Sequence, residues 1–219
     1  HHRTVQYTRA VREDTVEPDI QFSFRFAAVA CGLGEISWSK MLLTPQFGPL
    51  QRVAFIFTDA PLDPDPVYDG EPLCKRCMAC VRECPGNCIP MPNEPGKTIS
   101  ITIGGKKCEW GDIDMWRCYA FYTHAGRYFN PFVPKETWDE NKDGNLDLME
   151  GVTDIADENE VRKIYTALEE FFPTWVGYNM AKCGGCIRAC VCRLERKGGC
   201  LEGRFEHKLR DGKAWRLDR

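Results

Sequence analysis

The 219-residue chain has no apolar run approaching the ~20 residues of a membrane span, so no membrane-spanning helix is expected. Its formal net charge is only −3, which gives no footing for a nucleic-acid partner. Gly32 and Gly34 sit one residue apart, but the G-x-G-x-x-G fingerprint is missing, so no dinucleotide site is expected. No secretory leader is legible from His1 onward. Nor are the cysteines an even number at scattered spacings, as in a secreted disulfide scaffold. There are 13 and they cluster, which favours metal ligation in a reducing or anaerobic setting. With 43% hydrophobic residues the chain is globular, with enough length for one good core or two small domains.

The densest cysteine stretch is C-K-R-C-M-A-C-V-R-E-C-P, with thiols at Cys74, Cys77, Cys80 and Cys84 and Pro85 after the last. This is the C-x2-C-x2-C-x3-C-P spacing of bacterial ferredoxins. A cubane [4Fe–4S] cluster offers an open valence on each iron corner. Cysteines three apart on a tight loop reach three corners of one cube, and the fourth points away toward a second. A zinc knuckle is the competing reading of any C-x2-C pair. Zinc, however, gives no reason for three thiols in register followed by C-P. A second stretch, K-C-G-G-C-I-R-A-C-V-C, places Cys183, Cys186 and Cys190 at C-x2-C-x3-C.

Together the stretches supply one ligand fewer than two cubanes require. By the crossing rule, Cys74, Cys77, Cys80 and Cys190 hold the first cluster, and Cys84, Cys183 and Cys186 hold three corners of the second. Cys118 is the candidate for the missing corner and Cys108 its competitor. Cys31, Cys88, Cys192 and Cys200 are left as small buried hydrophobes by default. Cys192 stands just past Cys190, where a proline would be expected.

Elsewhere the pattern is mixed helix and strand. Ile20–Ala30 is apolar and reads equally as a strand or the lead into a helix. Gly32 and Gly34 in G-L-G-E-I-S-W-S mark a simple loop, a turn of positive φ or a close backbone approach. V-A-F-I-F-T at 53–58 reads as a buried strand, followed by a proline-punctuated linker. T-I-S-I-T-I at 98–103 with G-G-K-K after it reads as a strand and hairpin turn. Asp112–His124 reads as a helix with Asp112 as N-cap. D-E-N-K-D-G-N-L-D-L-M-E at 139–150 matches a calcium-binding EF-hand loop. Asp139, Asn141, Asp143, the Asn145 carbonyl and bidentate Glu150 would ligate Ca²⁺, with Asp147 acting through water. A solvated acidic turn is the plainer alternative. An exit helix from Val152 to Phe172 follows, and the basic tail beyond Cys192 reads as a surface extension wrapping the domain.

With these residues in view, the chain resembles the iron–sulfur half of the epoxyqueuosine reductase and reductive dehalogenase superfamily. The resemblance is carried by G-L-G-E-I-S-W-S with L-L-T-P-Q-F-G-P, by F-I-F-T-D and its proline-rich linker, by the first cluster run, and by D-M-W-R-C-Y with C-G-G-C-I-R-A-C. It spans about residues 20–130 and 180–215. It implies an α+β chain: a ferredoxin-like domain with two [4Fe–4S] clusters (67–130 and 181–219), appended to part of a nitroreductase-like corrinoid-binding region (1–66). Residues 131–180 would carry the inserted EF-hand-like loop and helix. It further implies a corrinoid (cobalamin) reduced through the clusters and fed by an external low-potential electron donor. Cys118 would be the eighth ligand, Gly32, Gly34, Glu35 and Ser37 would lie near the corrinoid, and Asp19 would stand where some members carry an acidic proton donor. The family's N-terminal half is missing from the match, so a longer chain or a partner subunit would supply the corrinoid pocket. Members occur in the cytoplasm and as exported, membrane-associated proteins of anaerobes. The rival readings are a ferredoxin-like electron-transfer subunit with no substrate site of its own and a zinc-stapled interaction module.

Overall fold

A computed structural model of the chain describes residues 23–124 and 183–208. These combine helix and strand, as an α+β chain should. Helix α1 (Phe24–Ala30) opens the described part, followed by a minimal ribbon of β1 (Glu35–Ile36) and β2 (Leu42–Leu43). A one-turn helix α2 (Ala79–Arg82) lies within the first cysteine run. The hairpin β3 (Thr98–Ile103) and β4 (Lys106–Gly111) precedes helix α3 (Met115–His124), and α4 (Gly185–Leu194) carries the second run.

The 20–30 ambiguity resolves to helix over 24–30, and its end explains the first glycine. The Gly32 amide donates to the Val29 carbonyl and the Leu33 amide to that of Ala28, both at 3.0 Å. This is a Schellman motif, and Gly32 takes the left-handed position it demands, φ +74°. The hairpin is as expected: Thr98 pairs with Gly111 through to Ile103 with Lys106. Gly104 and Gly105 both have positive φ, the requirement of a two-residue type I′ turn. Helix α3 starts two residues later than the N-cap reading implied. The Asp114 carboxylate, not that of Asp112, accepts the Arg117 amide at 2.9 Å, while the Asp112 amide pairs with the Lys97 carbonyl.

The expected buried strand at 53–58 is corrected by the structure. The run is not assigned to a strand, and Ile56 and Phe57 are 79% and 77% exposed. A strand exists only beside a neighbour, and neither described sheet includes this segment. Phe55 instead packs its ring near that of Phe24, at 5.4 Å between centroids.

Two apolar clusters organise the described residues. Ala28, Val29, Ile36, Leu42, Cys108 and Trp110 form one; Leu43, Leu73, Val191, Leu194 and Leu201 form the other. Because side chains alternate along a strand, β2 sends Leu42 to the first and Leu43 to the second. This two-residue strand thereby joins the N-terminal segment to the cysteine runs. The extension after α4 turns back on the end of that helix, with Leu201 buried and its amide bonded to the Leu194 carbonyl.

Candidate metal centre

The loop from Cys74 to Cys80 turns tightly because Arg76 and Met78 both adopt positive φ, +49° and +55°. Two non-glycine residues in that region within three positions are strained, and such strain persists where surrounding structure fixes it. One fixing contact comes from the G-L-G-E segment: the Glu35 carboxylate accepts the Cys74 amide at 2.6 Å. The same carboxylate lies 3.7 Å from the Lys106 ammonium on the hairpin. Helix α4 packs on α2 and brings Cys190 to this loop. Cys74, Cys77, Cys80 and Cys190 thus line one cavity together with Ser37, Trp38 and Ser39. Lys75, Arg76, Arg193 and Lys197 also line it, and no carboxylate does. Four thiolates carry negative charge, and these cations offset it.

Burial pushes the Cys80 thiol up to about 11, reinforced by Cys74 and Cys77, while a Ser39 hydrogen bond opposes the rise. Cys190 is also driven upward, by burial first and then by Cys74, Cys80 and Cys77. Such a crowd of buried sulfurs is costly to ionise without a cationic core among them.

A second gathering comprises Cys84, Cys118, Cys183 and Cys186. The Cys183 amide donates to the Tyr122 carbonyl at 3.3 Å, which ties the second run to α3, one turn past Cys118. Gly185 faces the Glu83 carbonyl so closely that a Cβ there would sit 2.6 Å from its oxygen. The C-G-G-C spacing is therefore a packing requirement where α4 starts against the end of α2. An ion pair between Arg188 and Glu83 fastens the same junction. Burial raises Cys183 to about 11, opposed by the Gly185 backbone and assisted by Cys84 and Cys118. Cys186 rises to about 12 through burial, with Cys183, Cys118, Cys84 and Cys80 adding to it. Cys186 thus senses thiols of both gatherings, which places the two side by side.

Cys88 is the residue that sequence reasoning missed. It is buried, its amide donates to the Cys84 sulfur at 3.3 Å, and its thiol hydrogen-bonds with Cys118 and Cys84. That contact draws Cys84 down to about 6 and lowers Cys118, while Cys88 itself is driven upward. The available signal was its position four residues after Cys84, past the helix-stopping proline. Cys108 sits in the first apolar cluster, with its thiol directed to the Lys106 carbonyl. Cys31 is exposed at the end of α1, Cys192 is half-buried beside Arg188 and Glu195, and Cys200 packs against the second apolar cluster.

Among the described residues, no three His, Cys, Asp or Glu side chains converge tightly enough for a single metal ion. Zinc needs its sulfurs about 2.3 Å from one point. The looser gathering suits a cube that offers each thiolate a separate iron.

The residues proposed near a corrinoid have other local roles. A Cβ at Gly32 would lie 2.3 Å from the Pro66 carbonyl oxygen, and one at Gly34 would lie 1.8 Å from that of Leu43. The chain's own backbone fills both glycine faces. Ser37 accepts the Met41 amide and pairs with the Ser39 hydroxyl at 3.1 Å. Asp19 and the loop bearing Asp139, Asn141, Asp143, Asn145 and Glu150 lie outside the described residues.

Comparison with known proteins adds the chemistry. The tetrachloroethene reductive dehalogenase of Sulfurospirillum multivorans is 33% identical over 119 residues, covering 51% of this chain and 24% of that protein. That of Desulfitobacterium hafniense strain Y51 is 28% identical over 163 residues, covering 69% of this chain and 27% of its own. The epoxyqueuosine reductase of Synechococcus sp. strain CC9605 is 30% identical over 100 residues, 46% of this chain and 25% of that one. Over part of its length the chain is thus similar both to tetrachloroethene reductive dehalogenases and to an epoxyqueuosine reductase. It spans about a quarter of the length of these superfamily relatives. No family model and no solved structure matches it.

Proposed function

We propose that the chain is the electron-relaying part of a reductive oxidoreductase and holds two [4Fe–4S] clusters. Cys74, Cys77, Cys80 and Cys190 would ligate the first, and Cys84, Cys118, Cys183 and Cys186 the second. The observation that carries the reading is the gathering of thiols from both cysteine runs and α3 into two adjoining groups. In this reading the thiolates hold the iron, and the buried walls keep water from the sulfurs. Ser39, the Cys88 amide and the cations around Cys77 set the balance between oxidised and reduced states. The ferredoxin-like domain would comprise 67–130 and 181–219, with 1–66 facing the remainder of a nitroreductase-like corrinoid-binding region and 131–180 as an insertion.

A corrinoid, held with the rest of a longer chain or a partner subunit, would supply the cobalt centre that acts on the substrate. The described residues do not offer it an open glycine face, because Pro66 and Leu43 occupy those positions. That observation favours a second reading: an electron-transfer subunit with no substrate site of its own. Corrinoid extracted together with this chain from its native assembly supports the first reading; an assembly free of corrinoid supports the second.

The ligand partition has its own test. In anaerobically reconstituted protein, Cys190→Ser should alter the electron paramagnetic resonance signal of one cluster and Cys118→Ser that of the other. If both substitutions alter the same signal, the partition is wrong. Cys108→Ser should leave both signals unchanged.

A further inference from the structure

We propose that the arginine-lined cleft beside Cys77 is the docking surface of an acidic electron-carrier protein. This rests on the relay reading above. The cleft has a volume of ≈ 380 Å³ and lies between α2 and α4. Cys77 lines both this cleft and the cavity of the first thiol group, so the cleft borders one of the proposed cluster ligands. Arg82 donates to the Cys77 carbonyl at 3.0 Å, which holds a guanidinium directly over that ligand.

The charge of the cleft runs against that of the whole chain, which is −3. Arg82, Arg193 and Arg196 are exposed on its walls, with Lys197 next in sequence, and they pair with no carboxylate among the described residues. The one carboxylate on the walls, Glu83, is already matched by Arg188. A purely structural role would lead Arg193 and Arg196 to carboxylates on the chain, as it does for Arg188. With no carboxylate to match them among the described residues, Arg82, Arg193 and Arg196 form a positive patch beside Cys77 that draws in and orients an acidic partner.

The test uses the full chain carrying its clusters and a reduced acidic [4Fe–4S] ferredoxin as donor, with methyl viologen radical cation as a second donor. Rapid mixing gives the second-order rate of cluster reduction at low and high salt. The wild type should be reduced more slowly by the ferredoxin as salt rises. Arg196→Glu should slow that step by about tenfold at low salt and flatten its salt dependence. Adding Arg82→Glu should deepen the loss, and Arg196→Lys should retain the wild-type rate. Reduction by the viologen should be no slower in Arg196→Glu than in the wild type. Ferredoxin rates that ignore both salt and Arg196→Glu would overturn the docking site, as would an equal loss with viologen. A wild-type protein that takes up no iron and sulfide would instead overturn the relay reading itself, before any rate is measured.

Discussion

Glu35 offers the sharpest single perturbation, because one carboxylate joins the G-L-G-E segment to the first cysteine run. It is 13% exposed, accepts the Cys74 amide at 2.6 Å and lies 3.7 Å from the Lys106 ammonium. Glu35→Leu keeps much of the bulk but removes the acceptor and leaves the Cys74 N–H unpaired. A hydrogen bond to a charged group contributes about 1.5–3 kcal/mol, and the partly exposed ion pair adds at most ~1 kcal/mol. At this chain length each kcal/mol shifts the melting temperature by about 2–4 °C. The hydrogen bond alone therefore predicts a fall of about 3–12 °C for Glu35→Leu. Glu35→Gln retains an oxygen acceptor and should lose less than half as much. Because Cys74 belongs to the first thiol group, the first cluster's spectrum should change in the leucine variant while the second's stays. The assay is thermal unfolding of the cluster-bearing protein followed by circular dichroism, with spectra taken before heating. A leucine variant that melts within ~1 °C of wild type, with both spectra intact, would refute the reasoning.

Three further outcomes are expected. Cys88→Ala should lower the midpoint potential of the second cluster and leave the first unchanged, since a donor to a ligand sulfur favours the reduced, more negative state; Cys88→Ser should restore most of the shift in an electrochemical titration. Gly185→Ala should destabilise by about 1–3 kcal/mol and reduce iron uptake, because its Cβ would meet the Glu83 carbonyl at 2.6 Å; normal iron content and melting would contradict this. If residues 139–150 clip a Ca²⁺, chelation should lower the melting temperature of wild type and leave Glu150→Gln indifferent, whereas a wild type indifferent to chelator would count against calcium there.

What the sequence made legible was local and periodic. The spacing of Cys74, Cys77 and Cys80 declares a tight loop, and positive φ at Arg76 and Met78 provides it, because reach along a short loop is a local property. Thr98–Ile103 with Gly104 and Gly105 declares a hairpin for the same reason. The partner of Cys84 across the fold could be inferred only from the crossing rule. The role of Cys88 was hidden, since its contact with Cys118 depends on how α3 meets the first run. Gly32 was read as a loop, a turn or an approach to a ligand. The structure makes it the cap of a helix that periodicity could not separate from a strand. Val53–Thr58 misled for the opposite reason. Its composition suits a strand, but strand formation needs a neighbour, and composition carries no information about one.

The central claim is that these thiols hold two four-iron clusters and not zinc. Iron, acid-labile sulfide and zinc measured on anaerobically purified protein test it directly. The account predicts about eight iron and about eight sulfide per chain with negligible zinc. One or two zinc per chain with no sulfide would contradict it.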